Sequence, residues 1–259
     1  MIIHLNLKLK KKSFSEHNLI ELDVVDSTNN YAANLLLKTK LVDKSVIMAH
    51  FQTFGKGQRG EVWESEPGKN LLFSMVLKAS CLDMENYFLL SKVVAISINE
   101  VIEELSGKVG FIKWPNDIYM EGKKIAGILI ENQWKGKSIE NAIIGIGLNV
   151  NQVNFDHLEK ATSLSLLTSK TFDLHEVLIM ICERINDYYE KLINKQFSQV
   201  NQYYFEHLLY SNEWKYYKQE NGESIEGMIV DVKSNGLMVL ELMNGEKREF
   251  AFKELEFMI

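Results

Sequence analysis

The segment Lys113-Trp114-Pro115-Asn116-Asp117, with Lys124 just beyond it, concentrates charge where a chain turns back on itself. Pro115 biases Trp114 toward an extended conformation. Ile118-Tyr119-Met120 and Lys123-Lys124-Ile125 flank Glu121-Gly122, which predicts a hairpin. A two-residue turn pairs Met120 with Lys123 and Tyr119 with Lys124. Asp117 and Lys124 then project from one face, diagonal neighbours about 7–8 Å apart at the backbone, within reach of a lysine stem. A three-residue turn breaks that parity. A surface ion pair between them would do little. The apolar run Ile125-Ala126-Gly127-Ile128-Leu129 instead draws Lys124 inward, where an ammonium needs an anion to offset its desolvation.

Two glycine-rich segments stand either side of that word. Gly55-Lys56-Gly57-Gln58-Arg59-Gly60 matches the G-x-G-x-x-G pattern letter for letter. A dinucleotide fingerprint needs a helix opening directly after the glycines. Glu61-Val62-Trp63-Glu64-Ser65-Glu66-Pro67-Gly68 is a poor helix. A plain surface loop is one reading. The other is a mobile loop whose amides, with Lys56 and Arg59, wrap an anion. Gly145-Ile146-Gly147-Leu148-Asn149 puts two glycines on one strand face, leaving room for a planar ligand or for a helix packed across the sheet. The six histidines are scattered and read as surface or packing residues. No serine nucleophile elbow is visible. No metal site is expected: Cys81 and Cys182 lie far apart and have no zinc-type spacing.

The elements that must carry these residues follow from periodicity. Ser27 or Thr28 can cap a helix bearing Tyr31, Leu35 and Leu36. Strands are predicted over 46–52, 70–78, 111–114, 118–120, 124–132 and 141–150. One helix is predicted over 87–105, and a mostly helical stretch over 174–209. After Tyr210, strands over 225–232, 237–242 and 248–252 alternate with Asn221-Gly222, Asn235-Gly236 and Asn244-Gly245. The aromatics of Tyr203-Tyr204-Phe205 and Trp214, Tyr216 and Tyr217 are read as core. The expected class is α+β: a body over 1–211 and a small all-β unit over 212–259.

Composition limits the function. In 259 residues, 46% are hydrophobic and 25% charged, so the chain can bury a core without disulfides or metal. Lysine and arginine number 29 against 35 acidic residues, a net charge of −6. A polyanion binder needs a basic face, so no nucleic-acid partner is expected. No apolar run reaches the roughly 18 residues of a membrane span. Residues 1–12 place lysines after the apolar residues, the reverse of a secretory signal. The expected location is cytoplasmic, with no membrane partner.

Taken together, the segments resemble biotin protein ligases. Ser27-Thr28-Asn29, Gln52-Thr53 with the 55–60 loop and Trp63, Lys113 to Asp117, Lys124 with Ala126-Gly127-Ile128-Leu129, and Gly145 to Asn149 stand in that family's order. The resemblance covers about residues 22–151. It implies a mixed central sheet with flanking helices, like the catalytic domain of class II aminoacyl-tRNA synthetases, and an SH3-like C-terminal domain. It implies ATP, Mg²⁺ with the nucleotide, and biotin as substrate, activated as biotinyl-5′-AMP. The acceptor would be a lysine of a biotin carboxyl carrier protein domain, and the ligase a monomer or homodimer. By the family's pattern Lys124 and Asp117 are catalytic. Ser27, Thr28, Asn29, Gln52, Gly55, Lys56, Gly57, Gln58, Arg59, Gly127, Leu129, Gly145 and Gly147 would bind biotin or the adenylate. Trp63, Lys113, Asn116 and Asn149 would bind ATP. Many members carry arginine at the position of Gln58, and often a basic residue at Glu61, so this loop is less positive than theirs. About 20 residues precede Ser27, too few for the DNA-binding domain some members carry, so no operator binding is expected. A lipoate or octanoate ligase or transferase of the same fold is the nearest alternative, and a non-catalytic biotin sensor the next.

Overall fold

The computed structural model describes residues 19–258 except 40, 156, 157 and 159; the reading of residues 1–12 lies outside them. Two sheets organise the chain. The larger has seven strands in the order β1-β2-β3-β7-β6-β5-β4. These are β1 (Leu19–Val25), β2 (Ser45–Gln52), β3 (Leu71–Leu77), β4 (Gly110–Lys113), β5 (Asp117–Met120), β6 (Lys123–Lys135) and β7 (Ser138–Leu148). β1 runs parallel to β2 and every other pairing is antiparallel, so the sheet is mixed.

Alternation along β2 sends Val46 and Met48 to the main core and Ile47 to the opposite face. The main core lies under α2 (Phe88–Ser106), which is backed by α4 (Leu174–Ile193) and α5 (Phe197–Glu206). Sandwiched in this way, α2 buries side chains on almost every side, from Leu89 and Leu90 to Val101 and Ile102. It ends on Gly107 at φ 70°, the left-handed conformation that glycine adopts without strain. On the opposite face of the sheet α1 (Thr28–Lys38) packs over a small cluster of Ala32, Ile47, Val76 and Ile143. A short α3 (Leu164–Thr168) completes the body.

The second sheet is antiparallel, in the order β11-β10-β9-β8-β12. Its strands are β8 (Trp214–Gln219), β9 (Ser224–Val232), β10 (Met238–Leu242), β11 (Lys247–Phe250) and β12 (Leu255–Phe257). The three Asn-Gly turns are present, with Gly222, Gly236 and Gly245 at positive φ. Their asparagines are not at positive φ, so these are not type I′ turns. Each asparagine side chain instead accepts the backbone N–H two residues on. The aromatic reading of this unit needs correction. Tyr217 is buried, but Trp214 and Tyr216 are exposed, as alternation on a one-sided sheet requires. In α5, Tyr204 is buried, while Tyr203 and Phe205 are half-buried against the core. Of the elements not anticipated, β1, β8 and β12 are strands and α3 a single short helix.

Hydrogen bonds among the described residues help to fasten the second sheet to the body. Lys92 of α2 donates to the Val232 carbonyl at the end of β9 and to Asn201 Oδ1 of α5 (2.7 Å). Phe88 N–H donates to the Ser234 carbonyl (3.0 Å). Trp114 Nε1 donates to the Gly236 carbonyl (3.0 Å). Lys92 is 1% exposed. Burial pushes its ammonium down to about 8 from 10.5, with Asp231 pulling the other way. Between those values the unfolded chain binds more protons than the folded one. Folding stability therefore gains from this group as pH rises from about 8 to 10.5. Urea unfolding of wild type and Lys92→Met at pH 8 and pH 10 checks this: the variant loses the gain, and an unchanged gain contradicts it.

Candidate active site

The Glu121-Gly122 turn sets the geometry. Both residues have positive φ, 50° and 75°, so this is a two-residue type I′ turn. Met120 pairs with Lys123 and Tyr119 with Lys124, and a bulge then carries Asp117 opposite Gly127. Lys124 Nζ lies 2.7 Å from Asp117 Oδ1, the two side chains 34% and 17% exposed. Asn116 holds the approach to this pair: its amide donates to the Ile128 carbonyl (2.7 Å), and Ile128 N–H returns to the Asn116 carbonyl (2.9 Å). The Trp114–Pro115 peptide is cis.

Around the pair opens a cleft of about 570 Å³ on the sheet face left bare by α1. It brings together Ser27, Thr28, Asn29, Gln52, Lys56, Gly57, Gln58, Trp63, Lys113, Asn116, Asp117, Lys124, Gly127, Leu129, Gly145 and Gly147. Gly55 and Asn149 do not line it. Gly55 is buried inside the loop, where a Cβ would strike the Trp63 carbonyl at 2.4 Å. Asn149 is buried behind β6, its N–H on the Ile125 carbonyl and its amide on the Thr162 carbonyl. The side chain of Arg59 lies outside the described residues.

The 55–63 loop is a tight return, not a helix entry. Gly57 N–H donates to Glu61 and Trp63 N–H to Gly55, around a 3-10 turn over Gln58–Gly60. Lys56 Nζ reaches Asn30 Oδ1 of α1. This return lays the Trp63 indole on the strand glycines: a Cβ on Gly147 would meet the ring at 2.4 Å, and one on Gly127 at 3.0 Å. Lys124 Nζ is 5.6 Å from that ring's centroid, a cation–π distance. Gly145 serves the helix instead, since a Cβ there would meet Asn29 Oδ1 at 2.4 Å. The helix reading of the glycine strand holds at Gly145, whereas at Gly147 and Gly127 the space is taken by the protein's own indole and not by a ligand.

Two side chains that hold α1 at the edge of the cleft escaped the sequence. Ser74 of β3, fully buried, donates to Asn29 Oδ1 (2.6 Å) and contacts Thr28 Oγ1 (2.7 Å). Glu131 accepts from Asn29 Nδ2 (2.7 Å). With Gln52 Oε1, which accepts from Thr28 N–H (2.8 Å), they lock the first turn of α1 against the sheet. The second sheet also reaches the cleft, through Phe252, Lys253, Leu255, Glu256 and Phe257. Lys113 lies over both the Tyr119 and Phe257 rings, and burial lowers its pKa. Asp117 and Glu256 work against that shift, and Lys124 and Lys160 with it. No group of three or more histidine, cysteine or acidic residues that could hold a metal occurs among the described residues. No helix among them is long and apolar enough to cross a membrane.

The pattern of the biotin/lipoate A/B protein ligase family matches residues 21–149. Biotin protein ligase from Aquifex aeolicus, solved with biotin and ATP, superposes with a TM-score of 0.77 at 31% identity, covering 92% of this chain and 97% of that one. The chain belongs to the biotin protein ligase family. The bifunctional ligase/repressor BirA of Bacillus subtilis is 35% identical over 188 residues, 70% of this chain and 57% of that protein. A Mycobacterium tuberculosis biotin–[acetyl-CoA-carboxylase] ligase is 29% identical over 151 residues, 56% of this chain and 54% of that protein. The chain thus spans little more than half the length of these curated relatives. Within this family fold, the Asn29 network predicts the cost of filling the strand. Gly145→Ala displaces Asn29 and should cost about 1–3 kcal/mol. Urea unfolding measures this, and wild-type stability contradicts the packing account.

Proposed function

We propose that the protein joins biotin to a lysine of a biotin carboxyl carrier protein domain in two steps, with ATP as the energy source. In the first step a biotin carboxylate oxygen bonds to the α-phosphorus of ATP. The bond to the β-phosphate bridge breaks and pyrophosphate leaves. In the second step a neutral carrier lysine attacks the acyl carbon, AMP leaves, and the amine gives up a proton. Mg²⁺ enters with the nucleotide as part of the substrate.

The observation that carries this reading is the Lys124–Asp117 pair on the floor of a cleft walled by glycine strands and a glycine loop. The first step brings two anions together, and an ammonium fixed between them in a poorly hydrated site stabilises the developing charge. Asp117 keeps that ammonium in place and is a proton acceptor for the carrier amine. Lys56, Lys113 and Lys253 add positive charge around the cleft. The 55–63 loop with Trp63 covers the site and protects a hydrolysable anhydride from water. Residues 1–211 would be the catalytic domain and 212–259 a small domain bracing its wall.

Biotin-dependent exchange between pyrophosphate and ATP tests the first step directly. Lys124→Ala should lower it by about 10²-fold or more, the scale of a lost electrostatic donor. Near wild-type exchange contradicts that role. Asp117→Ala should slow transfer to a carrier domain at least as much as exchange. Exchange with lipoate but not biotin would favour the lipoate alternative, and biotin binding without AMP release would favour a sensor.

A further inference from the structure

Ser74 is the one polar residue of β3, a strand buried along its whole length. Its neighbours explain its presence. Ser74 pairs across the sheet with Gly145 of β7, and the space over Gly145 is filled by the Asn29 amide. The Ser74 hydroxyl lies 2.6 Å from Asn29 Oδ1 and 2.7 Å from Thr28 Oγ1. All three side chains are buried, and the last two belong to the first turn of α1.

The protons of this cluster can be counted. Asn29 Nδ2 faces two groups that only accept, the Leu129 carbonyl (3.3 Å) and the Glu131 carboxylate (2.7 Å). Its Oδ1 is thereby turned to Ser74, and an amide oxygen only accepts, so the single Ser74 proton goes to Oδ1. The Thr28 proton then goes to Ser74 Oγ (2.7 Å) or to Gln52 Oε1 (3.1 Å), both acceptors. In either case Thr28 Oγ1 has no proton left for a ligand and offers only lone pairs to the cleft it lines. Gln52 is oriented in the same way. Its Oε1 accepts the Thr28 N–H (2.8 Å), which leaves Nε2 as its donor end. The wall of the cleft therefore presents an acceptor next to a donor, in an order set from behind by Ser74, Asn29 and Glu131.

We propose that Ser74 is a positioning residue that fixes the polarity of the Thr28 hydroxyl, and that this polarity selects a ligand carrying an N–H at that point. The inference rests on the ligase reading above and deepens it. The cyclic urea of biotin supplies an N–H beside a C=O, whereas the dithiolane ring of lipoate supplies neither. Without the Ser74 hydroxyl, Asn29 Oδ1 loses its donor and Thr28 loses its nearer acceptor, so the Thr28 proton is free to turn toward the cleft.

Full-length wild type, Ser74→Ala and Ser74→Cys would be assayed by ATP–pyrophosphate exchange, with biotin and with the two cyclic carbamates in which oxygen replaces one ureido N–H. Ser74→Ala is expected to raise the KM for biotin about tenfold, the scale of one hydrogen bond. It should also narrow the preference for biotin over one of the carbamates about tenfold, because a free Thr28 proton can meet the ring oxygen. The KM for ATP stays within about twofold of wild type, which also shows that the variant is folded. Ser74→Cys keeps a weaker donor in the same place and should fall between the two, and it carries the test where Ser74→Ala does not fold. An unchanged biotin KM in both variants overturns the proposal. So does an equal rise in KM for biotin and both carbamates, the result a merely structural serine would give. Absence of biotin-dependent exchange in wild type would instead sink the ligase reading on which the proposal rests.

Discussion

The structure turns on one ammonium held beside one carboxylate in a partly dry cleft. A lysine so placed is of little use to stability, because desolvation offsets much of the attraction within the pair. In the proposed reaction its use would be electrostatic preorganisation, a charge fixed in place before the substrates arrive. Everything near it keeps it there. The type I′ turn at Glu121-Gly122 sets the strand register, and the bulge that follows brings Asp117 opposite Gly127. Asn116 ties the loop before Asp117 to the backbone of β6. Lys113 sits close enough for Lys124 to lower its pKa, while Asp117 and Glu256 oppose that shift, so cations and carboxylates interleave around the cleft.

The covering elements obey a second constraint, which is room. Trp63 rests on Gly147 and Gly127, and Asn29 rests on Gly145; any side chain at those glycines would strike them. The glycine face thus hosts one aromatic ring and one helix terminus. The second sheet braces the opposite wall. Its Gly236 carbonyl holds the Trp114 indole, and its Phe257 ring lies against Lys113. A buried lysine, Lys92, anchors the same sheet from behind. The small unit is therefore structurally continuous with the site.

Much of this was legible because local chemistry dictates it. Alternation and a two-residue turn were enough to place Lys124 and Asp117 on one face, and apolar periodicity located α1, α2 and the central strands. What was missed depends on distant neighbours. β1 is the exception, since Ile20-Glu21-Leu22-Asp23-Val24 alternates with period 2 and signals a strand, whereas β8 and the three-residue β12 carry little such signal. Ser74 sits in a run that reads as plain strand, and only the docking of α1 makes it a hydrogen-bond hub. Trp214 and Tyr216 read as core because aromatic composition says nothing about which face of a strand is covered. Asn149, next to two cleft-lining glycines, is turned into backbone hydrogen bonds behind them.

A structure of the protein bound to a non-hydrolysable biotinyl-adenylate analogue tests the central claim most directly. The quantity to read is the distance from Lys124 Nζ to the oxygens at the acyl–phosphate junction. The account predicts direct hydrogen bonds to both the acyl and the phosphate oxygens, with Asp117 still beside the ammonium. An Nζ turned away from the junction, with another cation in its place, would contradict it.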